Sequence, residues 1–213
     1  MEALHWNTVN DLLREVLETT MSCRELASFR LVGGTALSLQ IGHRTSVDID
    51  LFTDAPYGSV DFTAIDTFLK ERYPYVASNS GVIGTGVSYF VGRSAQEAVK
   101  LDVYYTDTFI EPLLESDGIR LATVEEIIAM KLDVVSRCGR KKDFWDIHAL
   151  MDLYSFNAMV QLHQRRYPYT HDRTTIAKNM VDFNSADDDF EPLCLRGNYW
   201  ELIKYDIVGW AAV

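Results

Sequence analysis

Apolar positions recur along this chain with two periods, and the alternation between them lays out the elements. Val9, Leu12, Leu13, Val16 and Leu17 fall at helical spacing behind a cap from Asn7 or Thr8. Residues 30–32 read as a short buried strand, and Ala36, Leu37 and Ile41 as the core face of a second helix. Residues 47–52 alternate strictly, so Val47, Ile49 and Leu51 share one strand face while Asp48 and Asp50 share the other. A turn through Ala55, Pro56, Tyr57, Gly58 and Ser59 follows, and Ser59 is expected to cap a helix carrying Val60, Ile65, Phe68 and Leu69 that stops before Pro74. Strands are expected at 75–77, 86–91 and 98–105, with glycine turns between them. In the last, Val99, Leu101 and Val103 face the core; Lys100, Asp102 and Tyr104 face away. Beyond residue 120 the period becomes helical. Thr123 and Glu126 have capping-box spacing, and Val124, Ile127, Ile128, Val135 and Cys138 form one stripe. Further helices are expected at 156–166, 173–182 and 198–208. The fold class is therefore α+β, with a mixed sheet flanked by helices over residues 1–120. A helical part over 121–213 closes the cleft, the whole forming one compact unit.

Three places in this pattern carry chemistry. Two carboxylates on one strand face repel each other unless a cation, a proton or open solvent intervenes. Gly33 and Gly34, followed by Thr35, stand where a strand enters a helix, a junction that lets backbone N–H groups approach an anion. A phosphate cradle a dozen residues from a cation-binding carboxylate pair suits an enzyme that handles nucleoside triphosphates. Lys131 sits near the centre of the apolar stripe that begins at Val124, so its ammonium either forms a structural salt bridge with a core carboxylate or faces the cleft. Asp143 and Asp146 lie on one helix face, and Asp143 is near the helix start, where capping alone would explain it.

Gly33-Gly34-Thr35 followed by Asp48-Ile49-Asp50 resembles the signature of polymerase-β-like nucleotidyltransferases. The longer string Gly42-His43-Arg44-Thr45-Ser46-Val47-Asp48-Ile49-Asp50-Leu51-Phe52 resembles the AbiEii/AbiGii toxin branch. Arg140-Lys141-Lys142-Asp143-Phe144-Trp145-Asp146-Ile147 is similar to that branch's last motif, and the tail with Trp200, Glu201, Ile203 and Lys204 to its C-terminal segment. The resemblance implies transfer of NMP from an NTP to an acceptor hydroxyl, with Mg2+ as cofactor and pyrophosphate as leaving group. It implies Asp48, Asp50 and Asp102 as metal ligands, Asp102 also as acceptor of a proton. Gly33, Gly34 and Thr35 would hold phosphates, Lys131 would meet phosphate oxygens, and Asp143 would orient Lys131 or contact substrate. Arg44 is a second phosphate candidate or a pin for its turn. The implied acceptor is an RNA 3′ end, such as tRNA, or a protein hydroxyl, and the implied partner a cognate antitoxin.

Composition narrows the alternatives. A chain of 213 residues, 47% apolar and 24% charged, is long enough for a sizeable core. No apolar run reaches the roughly 18 residues of a membrane span, and Met1 to Trp6 show no signal-peptide pattern, so a cytoplasmic location is expected. Cys23, Cys138 and Cys194 are too scattered for a zinc site and suit reduced thiols. A net charge of −11 argues against broad nucleic-acid binding, and no DNA partner is expected. The clusters Arg137–Lys142 and Arg165-Arg166 read as solvated surface or a local basic patch, and Asp187-Asp188-Asp189 as a solvated loop. The five histidines lack metal-ligand spacing, and the lysine of a Walker A loop is missing. Two other functions fit the residues: transfer to a small molecule of aminoglycoside type, and a catalytically silent nucleotide-binding protein.

Overall fold

A computed structural model of the chain describes residues 3–78 and 84–211. In chain order it contains α1 (Asp11–Met21), β1 (Arg30–Leu31), α2 (Gly33–Ile41), β2 (Asp48–Thr53), α3 (Phe62–Arg72), β3 (Tyr75–Ser78), β4 (Gly86–Ser94), β5 (Glu97–Tyr105), β6 (Leu114–Ser116) and β7 (Ile119–Leu121). Five helices complete it: α4 (Val124–Ser136), α5 (Lys141–His148), α6 (Phe156–Arg166), α7 (Arg173–Met180) and α8 (Trp200–Ala211). The seven strands among the described residues form one sheet in the order β3-β4-β5-β2-β1-β7-β6. The pairs β2–β5 and β1–β7 are parallel and the others antiparallel. The sheet is thus mixed, and the α+β expectation holds. The turn expected between β3 and β4 falls partly on residues 79–83, outside the described residues.

Burial follows the alternation. Ile49, Leu51, Leu101 and Val103 are fully buried, and Val99 nearly so. A one-residue slip would bring their acidic neighbours into the core, so the apolar face fixes the β2–β5 register. Val47 is the exception: it precedes β2 and is 64% exposed, because the strand starts at Asp48.

Element ends moved where two polar residues competed for a cap. Asn10, not Asn7 or Thr8, caps α1 by accepting from the Leu13 N–H at 2.8 Å, and Trp6–Thr8 forms a short 3-10 turn. Asp61, not Ser59, caps α3. The hairpin β6–β7 was not anticipated. At the end of α4, Cys138 leaves the apolar stripe; it is exposed, with φ of 80°.

The capping box at α4 is only half formed. Thr123 accepts from the Glu126 N–H, but the Glu126 carboxylate turns away to accept from the backbone of Ile110 and Glu111. It also forms a fully buried ion pair with Arg166. Arg166 is therefore a core residue and not solvated surface; it fastens the loop after β5 to α6 through the Thr108 carbonyl at 3.1 Å. Glu126→Ala would strand a buried guanidinium and two N–H groups. We expect it to cost about 3–5 kcal/mol, measured by urea unfolding, whereas the same change at exposed Glu201 should cost under about 0.5 kcal/mol.

Candidate active site

The parallel register of β2 and β5 sets Asp50 directly beside Asp102 and Asp48 beside Lys100. All four belong to the strand face opposite the core, as alternation requires. The crowding has an electrostatic signature. Burial first, then the Asp102 carboxylate and more weakly Asp48, push the Asp50 carboxyl up to about 6, against the pull of Lys131 and Lys142. Two ammonium groups relieve the other acids: Lys100 Nζ lies 2.6 Å from Asp102 Oδ2, and Lys142 Nζ lies 3.3 Å from Asp48 Oδ2. Asp102 Oδ1 is buried and has no hydrogen-bond partner.

An acid whose carboxyl is raised in the folded chain disfavours folding once it ionises. For Asp50 that penalty grows as pH climbs from about 4, its unfolded value, to about 6, and is complete above that. In metal-free buffer Asp50→Asn should therefore be more stable than wild type. The gap should widen from about pH 4 to about pH 6 and then level near 2–3 kcal/mol, about 1.4 kcal/mol per unit. Unfolding curves across that pH range would show it.

Facing the acids is the junction of β1 and α2. Val32 N–H donates to the Asp50 carbonyl at 2.9 Å, and the chain then turns into the helix through Gly33 at φ of 69°. A Cβ on Gly33 would lie 2.6 Å from Asp50 Oδ2, so glycine is required both by the backbone and by the nearness of the acid. The helix start is tied down by Thr35. Its hydroxyl bonds Ser46 Oγ at 2.7 Å and the Asp48 carbonyl, and the residue is buried. Thr35 thus joins α2 to the start of β2, while the adjacent backbone remains the group able to receive phosphate.

Behind this junction lies a buried charge network centred on α5. Asp146 accepts from His43 Nε2 at 2.7 Å, Arg44 Nε at 2.6 Å and Arg44 Nη2 at 2.9 Å, and pairs with Lys131 Nζ at 2.7 Å. Lys131 Nζ also lies 2.6 Å from Asp143 Oδ1, and Asp143 Oδ2 accepts from the Arg140 N–H at 3.0 Å. Burial would raise the Asp146 carboxyl, but Arg44 and Lys131 outweigh it and hold it well below the usual range. Burial would likewise lower the Lys131 ammonium, and Asp146 and Asp143 raise it instead. The His43 imidazole is lowered, because burial prevails over its bond to Asp146.

Of the residues singled out in the sequence, Asp48, Asp50 and Asp102 share one strand face and Gly33 abuts Asp50, whereas Gly34 stands against Arg44 and Asp146. Lys131 is engaged by two buried carboxylates, the salt-bridge alternative, yet remains near enough to Asp50 to lower its carboxyl. Asp143 is its partner as well as the helix cap. Arg44 is 3% exposed and pins its turn to α5. The solvated reading of the basic cluster fails at Lys141, which is buried, and at Lys142, which reaches Asp48. Asp187 is likewise an anchor, bonding Trp200 Nε1 at 2.7 Å and Lys204 Nζ at 2.9 Å. Sequence reasoning left His43, Lys100, Lys142 and Asp146 out of the site. The alternation that placed Asp102 also placed Lys100 beside it, and the i, i+3 spacing from Asp143 marked Asp146.

The donor set fits a hard divalent cation: only carboxylate oxygens, one of them buried without a partner, and one acid raised by burial and by the Asp102 carboxylate beside it. Among the described residues no group of three such side chains stands at coordinating separation; Lys100 pairs with Asp102 and Lys142 with Asp48. No helix among the described residues is long and apolar enough to cross a membrane.

Comparison with known proteins agrees with this geometry. The family model described as nucleotidyl transferase AbiEii toxin, Type IV TA system, matches residues 16–199. The protein aq_aa25 of Aquifex aeolicus (strain VF5) is 30% identical over 212 residues, 90% of each chain. Among solved structures, JHP933 from Helicobacter pylori is 18% identical with a TM-score of 0.58, over 94% of this chain and 87% of that one. MenT4, the nucleotidyltransferase toxin Rv2826c from Mycobacterium tuberculosis H37Rv, is 15% identical with a TM-score of 0.57, over 94% and 83%. These likenesses show that the sheet and its flanking helices are the polymerase-β-like nucleotidyltransferase fold.

Proposed function

Because the chain belongs to the AbiEii family of nucleotidyltransferase toxins of Type IV toxin–antitoxin systems, we propose that it moves NMP from an NTP to an acceptor hydroxyl in a Mg2+-dependent reaction that releases pyrophosphate. The observation that carries this reading is the pairing of Asp50 with Asp102 across β2 and β5, with Asp48 on the same face and the Gly33 turn against Asp50. Asp48 and Asp50 would hold both cations, and Asp102 the one on the acceptor side. Bound Mg2+ would supply activation of the acceptor oxygen and neutralise charge on the leaving pyrophosphate. Asp102, whose Oδ1 is unpartnered, is the group to take the acceptor's proton. The backbone N–H groups at Gly33 and Gly34 receive the outer phosphates at a helix N-terminus. Lys142 and Arg140, at the start of α5, add positive charge there, while Lys131 holds the field constant from behind. The helical part from residue 121 closes the cleft.

The acceptor in this proposal is an RNA 3′ end, tRNA included, or a protein hydroxyl in the cytoplasm, and a cognate antitoxin restrains the activity. The net charge of −11 favours a second reading, a small cationic acceptor of aminoglycoside type. One experiment separates them. The protein is incubated with each α-labelled NTP and Mg2+, with total RNA, with protein extract, or with an aminoglycoside. Label should enter the RNA or protein fraction; label in the aminoglycoside alone selects the second reading, and no transfer to any of the three defeats both.

A further inference from the structure

Along β2 the site is electrically lopsided. At the Asp48 end Lys142 reaches the Asp48 carboxylate, and Arg140 lines the same pocket beside Val47; at the other end, two residues past Asp50 on the same face, comes Phe52. That step is about 6.6 Å along a strand. Phe52 opens a cleft of about 580 Å³ between the sheet and α4. Its walls are aromatic, with Phe52, Tyr105, the exposed Tyr57 from the turn after β2, and Tyr167 from the end of α6. Met130 and Asp133 line it from α4, adjacent to Lys131. Tyr57 and Tyr105 already lie in tilted contact, ring centroids 5.3 Å apart.

We propose that this aromatic cleft binds the nucleobase of the NTP, which fixes the direction in which the nucleotide lies across the three aspartates. The inference rests on the nucleotidyl-transfer reading above. An NTP carries its charge at one end and a flat π surface at the other. With the α-phosphorus over the Asp50–Asp102 pair, the remaining phosphates point toward Lys142 and Arg140 and the base toward Phe52 and Tyr57. The reverse placement sets an anionic tail against Asp133 and Asp107, and an uncharged ring against ammonium groups. Phosphate-rich RNA is disfavoured in the cleft for the same reason. Asp133 also supplies an edge contact: it is paired with Arg137, so the wall offers both acceptor and donor groups to a base stacked on the tyrosines.

Tyr57 is 70% exposed and stands outside the acid row, so its side chain can be removed with little risk to the fold. By calorimetry, Tyr57→Ala should weaken binding of a non-hydrolysable NTP by about tenfold, within the range for one base–aromatic stack. Inorganic tripolyphosphate, which has no base, should bind this variant as it binds wild type, and Tyr57→Phe should bind the NTP normally. Equal weakening of NTP and tripolyphosphate, or unchanged NTP affinity with a raised KM for the acceptor, would overturn the assignment and leave the transfer reading intact. A wild-type protein that binds no NTP would remove both.

Discussion

Asp102→Asn is expected to keep its fold and lose transfer by at least about 10³-fold, some 4 kcal/mol of barrier. The substitution preserves size and removes one negative charge from the most crowded part of the β2–β5 face, where Asp102 helps drive the Asp50 carboxyl up to about 6. Metal-free stability should therefore not fall, even though Lys100 loses its partner at 41% side-chain exposure. The proposed reaction loses a cation ligand and the acceptor of the hydroxyl proton together, so the defect should appear in kcat more than in KM for the NTP. Steady-state kinetics beside a melting curve would test this. Activity within tenfold of wild type would remove Asp102 from the chemistry.

The second large effect is structural. Among the described residues Asp146 is the acid paired directly with both His43 and Arg44, and it shares Lys131 with Asp143. Asp146→Ala leaves a guanidinium and part of an ammonium uncompensated in a dry interior, at a cost of about 3–5 kcal/mol. For a chain of this size that lowers Tm by roughly 10 °C. Because the network joins the turn before β2 to α4 and α5, the variant should also loosen the Gly33–Asp50 contact. Transfer would then fall even well below its melting point. Asp146→Asn should be milder, since the amide oxygen still accepts from Arg44. A melting temperature within 2 °C of wild type for the alanine variant, roughly what 1 kcal/mol or less would give, would show that the network is not what holds these elements together.

How much of this was legible beforehand divides by the kind of signal. The acid pair was readable because strand alternation tells which side chains share a face; its third member, Asp102, was named through the resemblance, and the register of β2 on β5 then set it beside Asp50. The hairpin of β6 and β7 was missed although Asp117 and Gly118, both at positive φ, carry the dipeptide preferred in tight turns; strands of three residues leave too little alternation around it. Helix caps slipped by two or three positions where polar residues crowd, as at Asn7, Thr8 and Asn10, because each could cap a helix by accepting from the N–H two or three residues on, and packing decides among them. Lys131 could be placed on a helix face, but periodicity says nothing about what that face meets. Glu126 shows the same limit: its spacing from Thr123 fits a cap, while an arginine forty residues later took the carboxylate. Buried charges choose partners in three dimensions, and the chain order does not record the choice.

Counting Mn2+ bound by electron paramagnetic resonance, in the presence of a non-hydrolysable NTP, tests the central proposal most directly. Two ions per chain in wild type, falling to one in Asp102→Asn with NTP binding retained, is the predicted result. No saturable Mn2+ in wild type, or the same count in both proteins, would contradict it.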